Sequence, residues 1–163
     1  MGAVEALLRE HGAALGRLVR GYAREEAAQQ DLLQEIAVAL WKALPGFRGE
    51  CSERTFVYRV AHNRCIDLTL RRARVVEAPL DEAAHVAQGD HEREIARREQ
   101  VERLLEHVRA LELPYRMAVM LSLEGLPHAE IAAVLGITEA AASVRLHRAR
   151  EVLKARMSAK EVV

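Results

Sequence analysis

Apolar side chains recur three and four residues apart along most of the chain, and the interruptions fall at proline and glycine. Residues 4–19 predict one helix. Residues 25–44 predict a second, with Leu32, Leu33, Ile36, Leu40 and Trp41 at helical spacing and Pro45-Gly46 ending it. After a loop, Ser52 is placed to cap a third helix that runs through Phe56, Val57, Val60, Ala61, Ile66, Leu68 and Leu70 toward Arg74. Each helix is apolar on one face only and needs partners, so the three predict one small helical unit. Between residues 74 and 91 the pattern dissolves around Pro79, Asp81, Glu82, Gly89 and Asp90, the composition of a linker. A second helical block follows, and Pro114, Pro127 and Gly136 cut it into one long and three shorter pieces. The last three, at about 114–123, 127–135 and 138–157, have the lengths of a helix-turn-helix domain. The expected fold is all-α: two small helical domains, 1–74 and 93–163, joined by a flexible acidic linker over 75–92, with the helix-turn-helix in the C-terminal one.

Composition narrows the setting. Aromatics make up 4% of the chain and apolar residues 50%, which favours thin aliphatic helical cores. Two cysteines, Cys51 and Cys65, are too few for a disulfide scaffold. No stretch holds eighteen consecutive apolar residues and the N-terminus lacks a cleavable-signal pattern, so a cytoplasmic protein without membrane insertion is expected. The 24 Lys and Arg balance the 24 Asp and Glu, but the charges are segregated. Residues 54–74 hold six arginines against Asp67 alone, a local net of +5, and residues 142–156 carry +4. Residues 77–112 carry −5. Two basic modules flank an acidic segment, and phosphates respond to the nearby field, so zero net charge does not argue against nucleic acid.

Local chemistry sharpens each half. In the second, Ile131, Val134 and Leu135 share one helical face, Gly136 permits the turn, Ile137 can bury, and Thr138 can cap the next helix. Position N3 is Ala141, so no reciprocal capping box forms. That last helix buries Ala142, Leu146, Ala149 and Leu153 by period and turns Glu139, Ser143, Arg145, Arg148 and Arg150 outward, a pattern suited to a major groove. In the first half, Asp31, Gln34 and Glu35 form an acidic strip that reads either as a solvated face or as a match for a basic partner. Trp41 reads as a core or interface anchor. In the loop 46–50, Phe47 either offers a π face to an unstacked base or plugs an apolar gap, and Arg48 suits a phosphate. Farther on, Arg54, Arg59, Arg64, Arg71 and Arg72 surround a helix whose Asn63 can pair with a base edge, while His62 is expected to be largely uncharged at neutral pH. Cys51, His62 and Cys65 lack zinc-site spacing, and neither a catalytic constellation nor a glycine-rich phosphate loop appears.

Taken together the two halves resemble the sigma-70 family, specifically its small extracytoplasmic-function (ECF) group. The first half carries DLLQEI at 31–36, WKALPGFRGE at 41–50, RTFVYRVAHNRCID at 54–67 and Arg71-Arg72. The second carries LEGLPHAEIAAVLGI at 123–137 and RLHRAR at 145–150. A helix-turn-helix regulator without the sigma role, the alternative reading, would leave the first half unexplained. The resemblance implies a dissociable initiation subunit of bacterial core RNA polymerase that is not itself an enzyme and needs no metal, cofactor or small-molecule substrate. It implies that Asp31, Leu32, Gln34, Glu35 and Trp41 lie on or support the helix that docks to the polymerase clamp. Phe47, Arg48, Gly49 and Glu50, with Arg54, Tyr58, His62, Asn63 and Arg71, would engage the melted promoter strand. Thr138, Glu139, Ser143, Arg145, Arg148 and Arg150 would bind upstream promoter DNA as duplex, and an anti-sigma factor is an expected partner. The chain departs from the family where Ala140-Ala-Ala-Ser-Val144 replaces a Gly-Thr-Val segment followed by a basic or polar pair, and where Phe56 replaces a common tryptophan. The first change thins the donors available for base readout.

Overall fold

The computed structural model describes residues 2–75 and 92–160, and every described regular element is helical. Three helices form the N-terminal module: α1 (Gly2–Arg20), α2 (Glu26–Ala43) and α3 (Glu53–Val75), with a 3₁₀ turn at Leu44–Gly46 between the last two. Four form the C-terminal module: α4 (Glu92–Arg109), α5 (Leu113–Leu123), α6 (His128–Leu135) and α7 (Glu139–Lys160). Most of the expected linker lies outside the described residues.

The ends of these helices follow from local chemistry. Pro45 sits in the 3₁₀ turn that closes α2, where its missing N–H costs no helical hydrogen bond. Ser52 caps α3 as its spacing predicts: its Oγ accepts the Thr55 backbone N–H at 3.1 Å. Thr138 does the same for α7, accepting the Ala141 N–H at 3.1 Å. Gly136 ends α6 in the left-handed region at φ 66°, and the Ile137 N–H then reaches back to the Ala132 carbonyl at 3.1 Å. That closure sets the turn between α6 and α7.

Apolar faces close both modules. Leu15, Leu18, Leu32, Ile36, Leu40 and Val57 are essentially fully buried where α1, α2 and α3 meet. Met120, Leu121, Ile131 and Leu146 do the same among α5, α6 and α7. On α7 the buried stripe is Ala142, Leu146, Ala149 and Leu153, the set its periodicity predicts.

The two modules do not stand apart. Helix α3 packs against α6, and the buried apolar residues of both modules form one continuous cluster. Gly21, just after α1, lies directly beneath the Met120 side chain of α5. Periodicity within either half carries no information about this joint, because each helix obeys its own pattern whether or not the modules dock.

Candidate functional site

Three surfaces collect the residues singled out by the sequence. The first is a stripe along α2. Asp31, Gln34, Glu35, Val38 and Lys42 recur at three- and four-residue intervals and line a shallow groove with Arg64 of α3. Leu32 is 1% exposed and faces the core beneath the stripe, so it supports this surface from behind. Trp41 is 57% exposed and Val38 is 51% exposed. Of the two readings open for Trp41, the core is therefore excluded. Two large apolar side chains beside carboxylates give an amphipathic face of the kind that anchors a partner. Glu35 also lies 3.5 Å from the Arg71 guanidinium, linking this stripe to the basic face of α3.

The second surface spans the loop before α3 and α3 itself. Gly49 has φ +75°, a conformation that side chains disfavour, and the exposed Arg48, Gly49 and Glu50 form the loop tip. Phe47 stacks on Phe56 with ring centroids 4.4 Å apart and planes 25° off parallel, so one of its faces is already covered. The aromatic that stands in place of a tryptophan thus serves as a platform for Phe47. Asn63 and Arg71 are exposed on α3.

Two residues expected on this surface turn inward. His62 is 2% exposed and Tyr58 is 3% exposed, because they fall on the same inner face of α3 as Val57, Ala61 and Cys65. Burial lowers the His62 pKa to about 4, and neither ring nitrogen has a hydrogen-bond partner. Burial, and then the charge of Glu124 in α5's C-terminal turn, push the Tyr58 hydroxyl to about 12. As placed, neither side chain reaches a nucleic-acid strand. Arg54, also on the expected list, is partly exposed but paired with Glu130 of α6.

The third surface is the α6–α7 unit. Thr138, Glu139, Ser143, Arg148 and Arg150 are exposed and Arg145 is half-buried. Helical rotation divides this set. Arg145 and Arg148 flank one side of the buried stripe, and Ser143 and Arg150 flank the other. Val144, 50% exposed, and the exposed His147 point outward between the flanks. Composition hid these two, but their position on the helical wheel could have found them. One lone pair of the Thr138 hydroxyl is taken by the cap, which leaves its O–H and a second lone pair for other partners.

Metal-ligating groups converge once among the described residues. Donor atoms of Glu10, His11 and Glu53 lie within 4.8 Å of one another, with His11 Nε2 3.6 Å from the Glu53 carboxylate. Both carboxylates are largely exposed, and the contact ties α1 to the start of α3. Cys65 is buried and its thiol pKa is pushed far up by burial, so it stays protonated.

Comparisons with known proteins place this arrangement. The Sigma-70 region 2 family model matches residues 7–75, and the Sigma-70, region 4 model matches residues 98–153. The class is thus the sigma-70 one, with both of its conserved modules in order. RNA polymerase sigma factor CnrH of Cupriavidus metallidurans is 30% identical over 163 residues, covering 94% of this chain and 85% of the relative. RNA polymerase sigma factor NccH of Alcaligenes xylosoxydans xylosoxydans is 29% identical over 164 residues, covering 96% and 87%. Among solved structures, CnrH in complex with the cytosolic domain of CnrY matches with a TM-score of 0.69 at 29% identity, covering 96% of this chain and 88% of that one. Sigma factor RpoE in complex with the anti-sigma factor NepR, from Bartonella quintana, shares the fold with a TM-score of 0.76 at 18% identity, covering 97% and 98%. The chain belongs to the ECF sigma factors of the sigma-70 family: it directs RNA polymerase to promoters and is not an enzyme. No described helix is long and apolar enough to cross a membrane.

Proposed function

We propose that the three surfaces divide the work of initiation. The α2 stripe of Asp31, Gln34, Glu35 and Trp41, backed by Leu32, docks to core polymerase. The Phe47–Glu50 loop with Asn63, Arg71 and Arg54 holds the parting promoter strand. The α7 helix, through Thr138, Glu139, Ser143, Arg145, Arg148 and Arg150, grips upstream promoter DNA as duplex. Domain 1–74 carries the first two tasks, domain 93–163 the third, and the acidic segment 75–92 connects them. Tyr58 and His62 act from beneath the strand-facing surface rather than on it. An anti-sigma protein is the natural inhibitor, since CnrH and RpoE are each found in complex with a protein partner, RpoE's being an anti-sigma factor.

The observation that carries this reading is the amphipathic α2 stripe. A free-standing DNA-binding regulator has no use for an exposed tryptophan and valine set among carboxylates on a module separate from its helix-turn-helix. Physical roles follow. Opening duplex costs stacking, and a basic loop carrying an aromatic offsets that cost by trapping extruded bases. Two linked DNA contacts raise each other's effective concentration once one has formed.

The test is reconstituted transcription with core polymerase on a randomised promoter library, run beside a core-binding assay. The D31K/E35K variant should lose core affinity by about tenfold or more, because the two reversals set like charge against a partner surface complementary to carboxylates. Undiminished core binding by a folded D31K/E35K protein would remove α2 from the docking role.

A further inference from the structure

The buried stripe of α1 carries one exception. Leu7, His11, Leu15 and Leu18 recur at helical spacing and all are buried, so a histidine stands where the pattern calls for leucine. His11 is 9% exposed, and its Nε2 is shut off from solvent without a hydrogen-bond partner. That nitrogen is aimed at two carboxylates, 3.6 Å from an oxygen of Glu53 and 4.0 Å from one of Glu10.

Each carboxylate taken alone has an ordinary explanation. Glu53 opens α3, where the positive end of the helix dipole favours an acid, and Glu10 stands on the exposed side of α1. Neither explanation covers the imidazole. A buried nitrogen that bonds to nothing is disfavoured, and leucine would fill the same place without that cost. The distances are too long for hydrogen bonds, yet they approach the spacing of ligands around a single ion. Donors at about 2.0–2.2 Å from a tetrahedral zinc stand about 3.3–3.6 Å from one another, and here all three donor atoms lie within 4.8 Å. The Glu10 and Glu53 side chains are 69% and 54% exposed, so rotamer changes can close the remaining distance, on the order of 1 Å, without moving a helix.

We propose that Glu10, His11 and Glu53 form a binding site for one divalent ion of the zinc class, bridging α1 and the first turn of α3. The donor set selects the ion. One imidazole nitrogen and two carboxylates suit zinc and its neighbours in the first transition row, whereas magnesium prefers oxygen ligands and keeps much of its water. Three protein ligands leave the remaining position to water. The ion is a brace: it gives Nε2 a partner, neutralises both carboxylates and ties the start of α3, just past the loop tip at Glu50, to α1.

The test uses the full chain, stripped with a chelator and titrated calorimetrically with zinc chloride beside magnesium chloride. Wild type should take up one equivalent of zinc saturably, and its Tm should rise by about 5–10 °C at a hundredfold excess over the dissociation constant. Magnesium should do neither. Other histidines and Cys51 offer zinc contacts elsewhere, so the decision falls to E10Q/E53Q, which keeps the shape of the site and removes its anionic donors. That variant should bind zinc about a hundredfold more weakly and lose the Tm response. Zinc should also move the side-chain nitrogen resonances of His11 in the wild-type protein. No saturable uptake by wild type, uptake that E10Q/E53Q leaves undiminished, or uptake without a shift of the His11 signals refutes the site, and a bound equivalent that leaves Tm unmoved refutes the brace. If circular dichroism shows that the double variant does not fold, E10Q alone, which removes the more exposed carboxylate, decides by the same criteria.

Discussion

His62 offers a sharp test of where α3 keeps its inner face. The side chain is 2% exposed, both ring nitrogens lack partners, and burial lowers its pKa from 6.5 to about 4. The native protein therefore holds a neutral imidazole throughout the range in which the unfolded chain takes up a proton. Stability from this group is complete above pH 6.5, declines as pH falls from 6.5 to about 4, and changes no further below that. At about 1.4 kcal/mol per pH unit, the loss across the window amounts to about 3 kcal/mol. For a chain of this length that corresponds to a fall in Tm of roughly 6–12 °C. Carboxylates titrate in the same acid range, so the quantity to measure is the difference between wild type and His62→Leu. Thermal unfolding at pH 7.5, 6.5, 5.5 and 4.5 should give a Tm gap in favour of the leucine variant that widens steadily toward acid. Parallel curves would mean that the imidazole is solvated or partnered and that α3 does not bury it. The same variant should keep promoter-directed transcription at pH 7.5, since the imidazole lies behind the strand-facing surface. A folded His62→Leu protein without activity would instead put His62 on the strand.

Three further outcomes follow from single features. Replacing Arg145 and Arg148 by alanine should weaken binding to upstream duplex and lower the salt slope by about two, one per lost phosphate contact, with core affinity retained; an unchanged slope in a titration against ionic strength would place both side chains away from DNA. Gly136→Ala should cost about 1 kcal/mol in urea unfolding, since φ 66° is open to glycine and strained for alanine, and a neutral result would mean that the α6–α7 turn relaxes without it. Thr138→Ala should cost a similar amount, about 1 kcal/mol, by freeing the Ala141 N–H, while Thr138→Ser should restore most of it.

What the sequence made legible, and what it did not, divides along a physical line. Signals local in sequence survived: the helix at 52–74 with Ser52 as its cap, the left-handed Gly136, and the buried stripe of α7 each depend on neighbours within four residues. Misreadings arose where one helix serves two masters. On α3, Tyr58 and His62 follow the exposed Arg54 at four-residue steps and pass for a polar face, yet these two side chains turn into the protein, and the sequence shows no penalty for it because an aromatic hydroxyl and a neutral imidazole can both be buried. The deciding fact is the C-terminal module lying across α3, which brings Glu124 to Tyr58 and Glu130 to Arg54 over separations of 66 and 76 residues. No periodicity reaches that far. The charge segregation does, in part: Arg54 of the basic stretch 54–74 and Glu102 and Glu106 of the acidic stretch 77–112 take part in the joint, whereas Arg17, Arg20, Arg24, Glu124 and Glu130 lie outside both stretches. The guanidinium geometry that suits phosphate suits those carboxylates as well. On α3 that means Arg54 is held by Glu130, a residue 76 positions away that no local pattern could have named.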